Sequence, residues 1–199
     1  MKSAAVGFCV HSGWTSLVGV AMENGQPIVL ARLRPHLVET FSYTFRQPYH
    51  TAAKMSVAEA ATFLDRQQTE ARRLAASALK SAQADVAQQG YKVTRAALLT
   101  ASGRPLPELA RIITSHSLIH SADGEFFREA VLHGGAQCNL SVTTIKAREL
   151  LAAASSKLRR KPAALLKFLT ALGKPLGGPW TRDEKFATLA AWLALSGSH

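Results

Sequence analysis

The chain has 199 residues, 47% hydrophobic and 19% charged, which supplies a core and argues against a disordered chain. Twenty-four Lys and Arg against 13 Asp and Glu give a net charge of +11, which favours polyanions: nucleic acid, another phosphate-bearing ligand or an acidic partner. Two cysteines, Cys9 and Cys138, with no CxxC pair, exclude a disulfide framework and a cysteine-rich zinc site and suit a reducing cytoplasm.

No apolar run reaches the roughly 18 residues of a membrane span. The first apolar run breaks at His11 without a cleavage pattern, so no secretory signal and no membrane partner are expected.

Residues 4–10 are uninterruptedly apolar, the pattern of a strand buried on both faces. His11-Ser12-Gly13-Trp14 separates it from a second run, 16–22, and Asn24-Gly25 is a hairpin signal before a third, 27–33. Three strands joined by short turns predict an antiparallel meander. Residues 39–55 form a long connection with Arg46, Tyr49 and His50; the alternation of Phe41, Tyr43 and Phe45 equally fits a short strand extension.

Ser56-Val57-Ala58-Glu59 is a capping box opening a helix that Gly90 stops. At ~1.5 Å per residue that helix spans roughly 50 Å, so a bend or break is expected near residues 66–69. A fourth strand, 93–101, ends at Ser102-Gly103-Arg104. A short helix from 107 to about 115 and a second from about 123 to 134 are expected next, with Ser121 and Asp123 as caps between them. A fifth strand covers 141–145. Helices over 147–155 and 163–172 flank the basic run Lys157-Leu158-Arg159-Arg160-Lys161, and Thr181-Arg182-Asp183-Glu184 caps a last helix to Leu195.

Polar clusters supply the candidate chemistry. On a continuous helix His116 and His120 share one face at i, i+4 and hold one metal ion, with Glu125 completing the site. Ser117 stands where a zinc protease needs glutamate, so that mechanism is absent. The alternative is structural, with both histidines partly buried. In the turn His11-Ser12-Gly13-Trp14, Ser12 can donate to a phosphate and His11 can act as acid, base or anion contact; the alternative is a tight hairpin with Trp14 packed on the sheet. Arg46 and His50, with Tyr49, suit phosphate and base contacts, or else loop packing. Arg104 lies at a strand's C-terminal end, where α/β ligands bind. Neither GxxxxGK[ST], GxGxxG nor GxSxG occurs, which excludes a P-loop, a dinucleotide fingerprint and an α/β-hydrolase elbow.

The order β, β, β, α, β, α, β, α resembles the ribonuclease H-like superfamily, which includes Holliday-junction resolvases. Two stretches carry the resemblance: Gly7-Phe8-Cys9-Val10-His11-Ser12-Gly13 followed by Gly19-Val20-Ala21, and the terminal acidic helix opening at Asp183-Glu184-Lys185-Phe186-Ala187. The resemblance implies an α/β fold with a mixed five-stranded sheet, three antiparallel strands then two parallel, and helices packed on it. It implies one such domain over 1–199, with 157–199 as a C-terminal helical part.

Those nucleases place an aspartate on the first strand to bridge two metal ions. Here the matching stretch holds Phe8, Cys9 and Val10, and no carboxylate precedes Glu23. The resemblance therefore implies a nucleic-acid-associated protein, a divergent phosphodiesterase using a divalent metal (Mg, Mn or Zn). Its catalytic residues are His11, His116, His120 and Glu125, its metal ligands His116, His120, Glu125 and Asp183, and its substrate contacts Ser12, Arg46, His50, Arg104 and Lys185. The alternatives are a catalytically silent binding module and a small-molecule phosphate or nucleotide enzyme.

Overall fold

The computed structural model describes residues 1–101 and 105–197. Five strands form one sheet: β1 (Lys2–His11), β2 (Trp14–Glu23), β3 (Gln26–Leu33), β4 (Tyr91–Thr100) and β5 (Val142–Lys146). Their order is β3-β2-β1-β4-β5, with β1–β2 and β2–β3 antiparallel and β4 and β5 parallel to β1 and to each other. The unbroken apolar run of β1 is explained by this position, because a central strand with helices on both sides has no solvated face. Asn24 and Gly25 both take positive φ, 49° and 75°, as a two-residue hairpin turn requires.

Alternate residues of β1 divide between two layers. Ala4, Val6, Phe8 and Val10 enter a core shared with α3 (Val57–Gln88) and α5 (His116–Gln137). The other face of β1, with Ala5, Gly7 and Cys9, meets the last helix of the chain, Arg182–Leu195. Two short helices, α1 (Tyr43–Arg46) and α2 (Pro48–Ala52), fill the connection after β3, and α4 (Leu109–Ile113) precedes α5. Residues 150–195 supply α6 (Leu150–Leu158), α7 (Pro162–Leu172) and α8, the Arg182–Leu195 helix, which cover the face opposite α3 and α5. No helix among the described residues is long and apolar enough to cross a membrane.

Three local expectations are corrected. The helix opened by Ser56 runs unbroken through 66–69, because Ala60, Leu64, Ala71, Ala75, Leu79, Ala82 and Val86 keep one buried stripe along all 32 residues. The segment with Phe41, Tyr43 and Phe45 does not extend a strand; Tyr43–Arg46 is one helical turn. The short helix expected from 107 is α4, but the second one does not wait until about 123: α5 starts at His116. Asp123 caps nothing: it is buried mid-helix at 3% exposure and reaches across to α2.

Candidate functional site

Chain direction gathers the polar candidates at one end of the sheet. β1, β3 and β4 all run towards it, so His11 and Ser12, the α1–α2 connection and the end of β4 arrive there together. As the crossover from β4 to the parallel β5, α5 starts at the same end, which puts His116 and His120 there. Two side-chain clusters result, one on each face of the sheet.

The cluster on the α8 face follows from a close approach of backbones. Gly7 lies so near α8 that a Cβ there would collide with the Ala187 carbonyl oxygen and stand 2.8 Å from its carbonyl carbon. Cys9 is two residues along the same face of β1, and Asp183 is one helical turn before Ala187. The seating of Ala187 on Gly7 therefore brings Asp183 onto Cys9. The Cys9 thiol donates to Asp183 Oδ1 at 3.5 Å, and His11 Nε2 lies 3.0 Å from Asp183 Oδ2 and 3.8 Å from Cys9 Sγ. Burial, and then the negative charge of Asp183, push the Cys9 thiol up to about 12, so it is protonated at neutral pH.

On the α5 face, Asp123 and His50 pair across α5 and α2. His50 Nδ1 stands 2.5 Å from Asp123 Oδ2, and the Tyr49 backbone N–H donates to Oδ1 at 2.7 Å. Burial raises the Asp123 carboxyl above its ordinary range, while the bonds from His50 and Tyr49 pull it back. The His50 ring meets His120 with centroids 4.5 Å apart, and His116 and His120 pack edge to face at 4.5 Å. One donor nitrogen from each of the three imidazoles lies within 4.8 Å of the others.

Beside His120 a cleft of about 420 Å³ opens beyond the end of β4, lined by Ala101, Ser117, His120, Glu125 and Arg128 among others. Arg128 donates to Glu125 Oε1 at 2.8 Å and is largely buried; its Nε has no partner among the described residues. Its charge lowers the Cys9 thiol, against the larger effects of burial and Asp183.

The residues expected to form one pocket are thus divided. His116 and His120 meet each other and His50; Glu125 shares the cleft with His120 but pairs with Arg128; His11 and Asp183 meet each other on the far face. Arg46 donates through Nε to the Ser12 carbonyl at 3.3 Å, and its guanidinium lies over Phe41 at 4.3 Å. Lys185 sits half-buried in the first turn of α8, and Arg104 lies outside the described residues.

Sequence reasoning missed Asp123 as a partner of His50, and it missed Arg128. It also missed that Trp14 stacks on His11 at 4.3 Å under Arg34, and that His36 stacks on Phe41 at 4.2 Å. The interleaving of Arg34, His36, Phe41 and Arg46 was the available signal for these stacks.

Nucleases of the ribonuclease H-like class hold two divalent cations at the first strand, and the donors here do not suit such a pair. Two hard cations need several anionic oxygens. Cys9, His11 and Asp183 offer one carboxylate, an imidazole and a thiol that stays protonated.

No family model and no curated protein matches the chain. Solved structures do. RuvC of Thermus thermophilus in complex with a Holliday junction substrate aligns with a TM-score of 0.53 at 11% identity, over 98% of this chain and 94% of that one. A second Thermus thermophilus RuvC structure aligns with a TM-score of 0.51 at 10% identity, over 97% and 93%. At such identities the likeness is one of architecture: the chain has the ribonuclease H-like fold of RuvC.

Proposed function

We propose that this chain is a nucleic-acid-associated protein that works on phosphate-bearing strands at the end of the sheet where β1 and β4 finish, as a divergent metal-dependent phosphodiesterase. One juxtaposition supports this: in a fold shared with a protein solved on a Holliday junction, imidazoles, carboxylates and a buried arginine crowd the same sheet end. The net charge of +11 is of the sign that phosphate contacts need.

Here Ser12, Arg46 and Lys185 contact phosphate, His11 moves a proton with Asp183 as its partner, and His116, His120 and Glu125 stand at the reacting phosphate. No step is assigned to a cation pair on β1.

A second reading is a catalytically silent binding module. The first-strand stretch Phe8-Cys9-Val10 favours it, because it holds no carboxylate where nucleases of this class carry a metal-bridging aspartate on the first strand.

Incubation of four-way junctions and single strands with the chain and a panel of Mg²⁺, Mn²⁺, Zn²⁺ and Co²⁺ separates the two. The phosphodiesterase predicts metal-dependent cleavage that His120→Ala reduces by about 100-fold or more. Binding without cleavage under every metal assigns the silent module instead, and cleavage unchanged in His120→Ala removes the histidines from the mechanism.

A further inference from the structure

We infer that His50, His116 and His120 form a site for one transition-metal ion of the zinc class, with Asp123 holding the buried imidazole in place. Its catalytic role rests on the phosphodiesterase reading; its occupancy by metal does not.

The three imidazoles differ in how they are held. His50 is anchored, its side chain 14% exposed and its Nδ1 2.5 Å from Asp123 Oδ2. A carboxylate only accepts, so the proton sits on Nδ1, and Nε2 is the nitrogen left for a metal. Asp123 cannot swing round to become a ligand itself, because its other oxygen accepts the Tyr49 N–H at 2.7 Å and the residue is 3% exposed. A carboxylate behind a histidine whose second nitrogen is free is how proteins fix the tautomer and ring orientation of a metal-binding histidine.

His116 and His120 are exposed and one turn apart on α5, a rigid 22-residue element. Three nitrogens around a tetrahedral ion at about 2.0–2.1 Å stand about 3.3 Å from one another. From a spread within 4.8 Å, closing on an ion asks the two exposed rings to shift by about an ångström or two, within reach of side-chain rotation.

A purely structural pin between α2 and α5 would account for His50 and Asp123. It gives no reason for two exposed histidines at i, i+4 to converge on His50. The donors are all neutral nitrogens, which select Zn²⁺, Co²⁺, Ni²⁺ or Cu²⁺ over Mg²⁺, Ca²⁺ or Mn²⁺. Three protein ligands leave a fourth position for water or a phosphate oxygen. His120 also lines the cleft that holds Glu125 and Arg128, which is where such a ligand would come from.

The test is metal uptake by the full chain without nucleic acid. After chelator treatment the protein is titrated with Co²⁺ and read by its visible absorption, and retained Zn²⁺ is counted after gel filtration. The expected result is one ion per chain, a tetrahedral Co²⁺ band without a thiolate charge-transfer band, and a melting temperature raised by Zn²⁺. His116→Ala and His120→Ala, both at exposed positions, are expected to keep the metal-free melting temperature and weaken binding by about 100-fold or more. Asp123→Asn is expected to weaken it by about 10–100-fold.

No retained ion at micromolar Zn²⁺, or wild-type affinity in both histidine variants, overturns the site. So does a thiolate band lost in Cys9→Ala, which would put the ion on the other cluster. Uptake of one ion through these histidines with no cleavage of any strand keeps the metal site and removes the phosphodiesterase. Metal-dependent cleavage by a chain that retains no ion here does the reverse.

Discussion

Two clusters of metal-capable side chains stand at the same end of one sheet and use their carboxylates in opposite ways. On the α8 face, Asp183 takes up the donors: one oxygen accepts from the Cys9 thiol and the other faces His11 Nε2. On the α5 face, Asp123 fixes Nδ1 of His50, and the His116 and His120 rings stand against that imidazole. A carboxylate among the donors makes a closed hydrogen-bonded group; a carboxylate behind them makes an open one. The group that includes the first-strand Cys9 is closed, and the open group lies across the sheet.

The largest effect that would test this contrast is expected at Gly7. Gly7→Ala puts a methyl group into the Ala187 backbone, which neither β1 nor α8 can yield without parting. A loss of about 3 kcal/mol or more is expected in urea unfolding. A loss under about 1 kcal/mol would mean that the approach which seats Asp183 on Cys9 is adjustable.

Next comes the burial of the two histidine–carboxylate pairs. His50→Ala strands a buried carboxylate and is expected to cost about 2–3 kcal/mol at pH 7. His11→Ala breaks a half-exposed pair and is expected to cost under about 1 kcal/mol. Burial raises the folded-state value of Asp123, so its cost is absent below the unfolded carboxyl range and develops as pH rises through the folded value. The His50→Ala deficit should therefore be smallest near pH 4 and grow towards pH 7. Equal costs for the two histidines, or a deficit independent of pH, would erase the distinction between the faces.

The smallest effect is chemical. With its thiol at about 12, Cys9 is about one part in ten thousand thiolate at pH 8, against roughly a quarter for an ordinary cysteine. Iodoacetamide should leave Cys9 unmodified in the folded chain and label it in the unfolded one, as read by mass spectrometry. Removing the Asp183 charge with Asp183→Asn should speed folded-state labelling modestly, since burial is the larger cause. Fast labelling of the folded wild type would contradict the closed group.

Much of the fold was legible because its signals are local. An apolar run without alternation marked β1 as central, Asn24-Gly25 marked a hairpin, and Ser56…Glu59 and Thr181…Glu184 marked helix starts where both capping boxes form. The continuity of α5 was hidden because Ser121 and Asp123 read locally as helix caps. Asp123 instead spends its side chain on α2, and the Arg128 guanidinium lies 3.1 Å from where a Gly124 side chain would begin.

The site was legible as residue types and not as groupings. His116 and His120 share a helix period, but His50 meets Asp123 from 73 residues away and Cys9 meets Asp183 from 174. Those meetings depend on which face of the sheet each helix covers and on one glycine that lets α8 approach. No pattern within a window of sequence records either.

The nucleic-acid proposal is most directly tested by the salt dependence of binding to a four-way junction, measured by fluorescence anisotropy between about 50 and 200 mM salt. Log affinity is predicted to fall linearly with log salt. Arg46→Ala and Lys185→Ala should each flatten the slope by about 0.9, while Lys92→Ala, at the opposite end of the sheet beside Ser3, leaves it unchanged. Absence of binding, or a slope that Lys92→Ala alters as much as Arg46→Ala does, would contradict a phosphate-contacting end of the sheet where β1 and β4 finish.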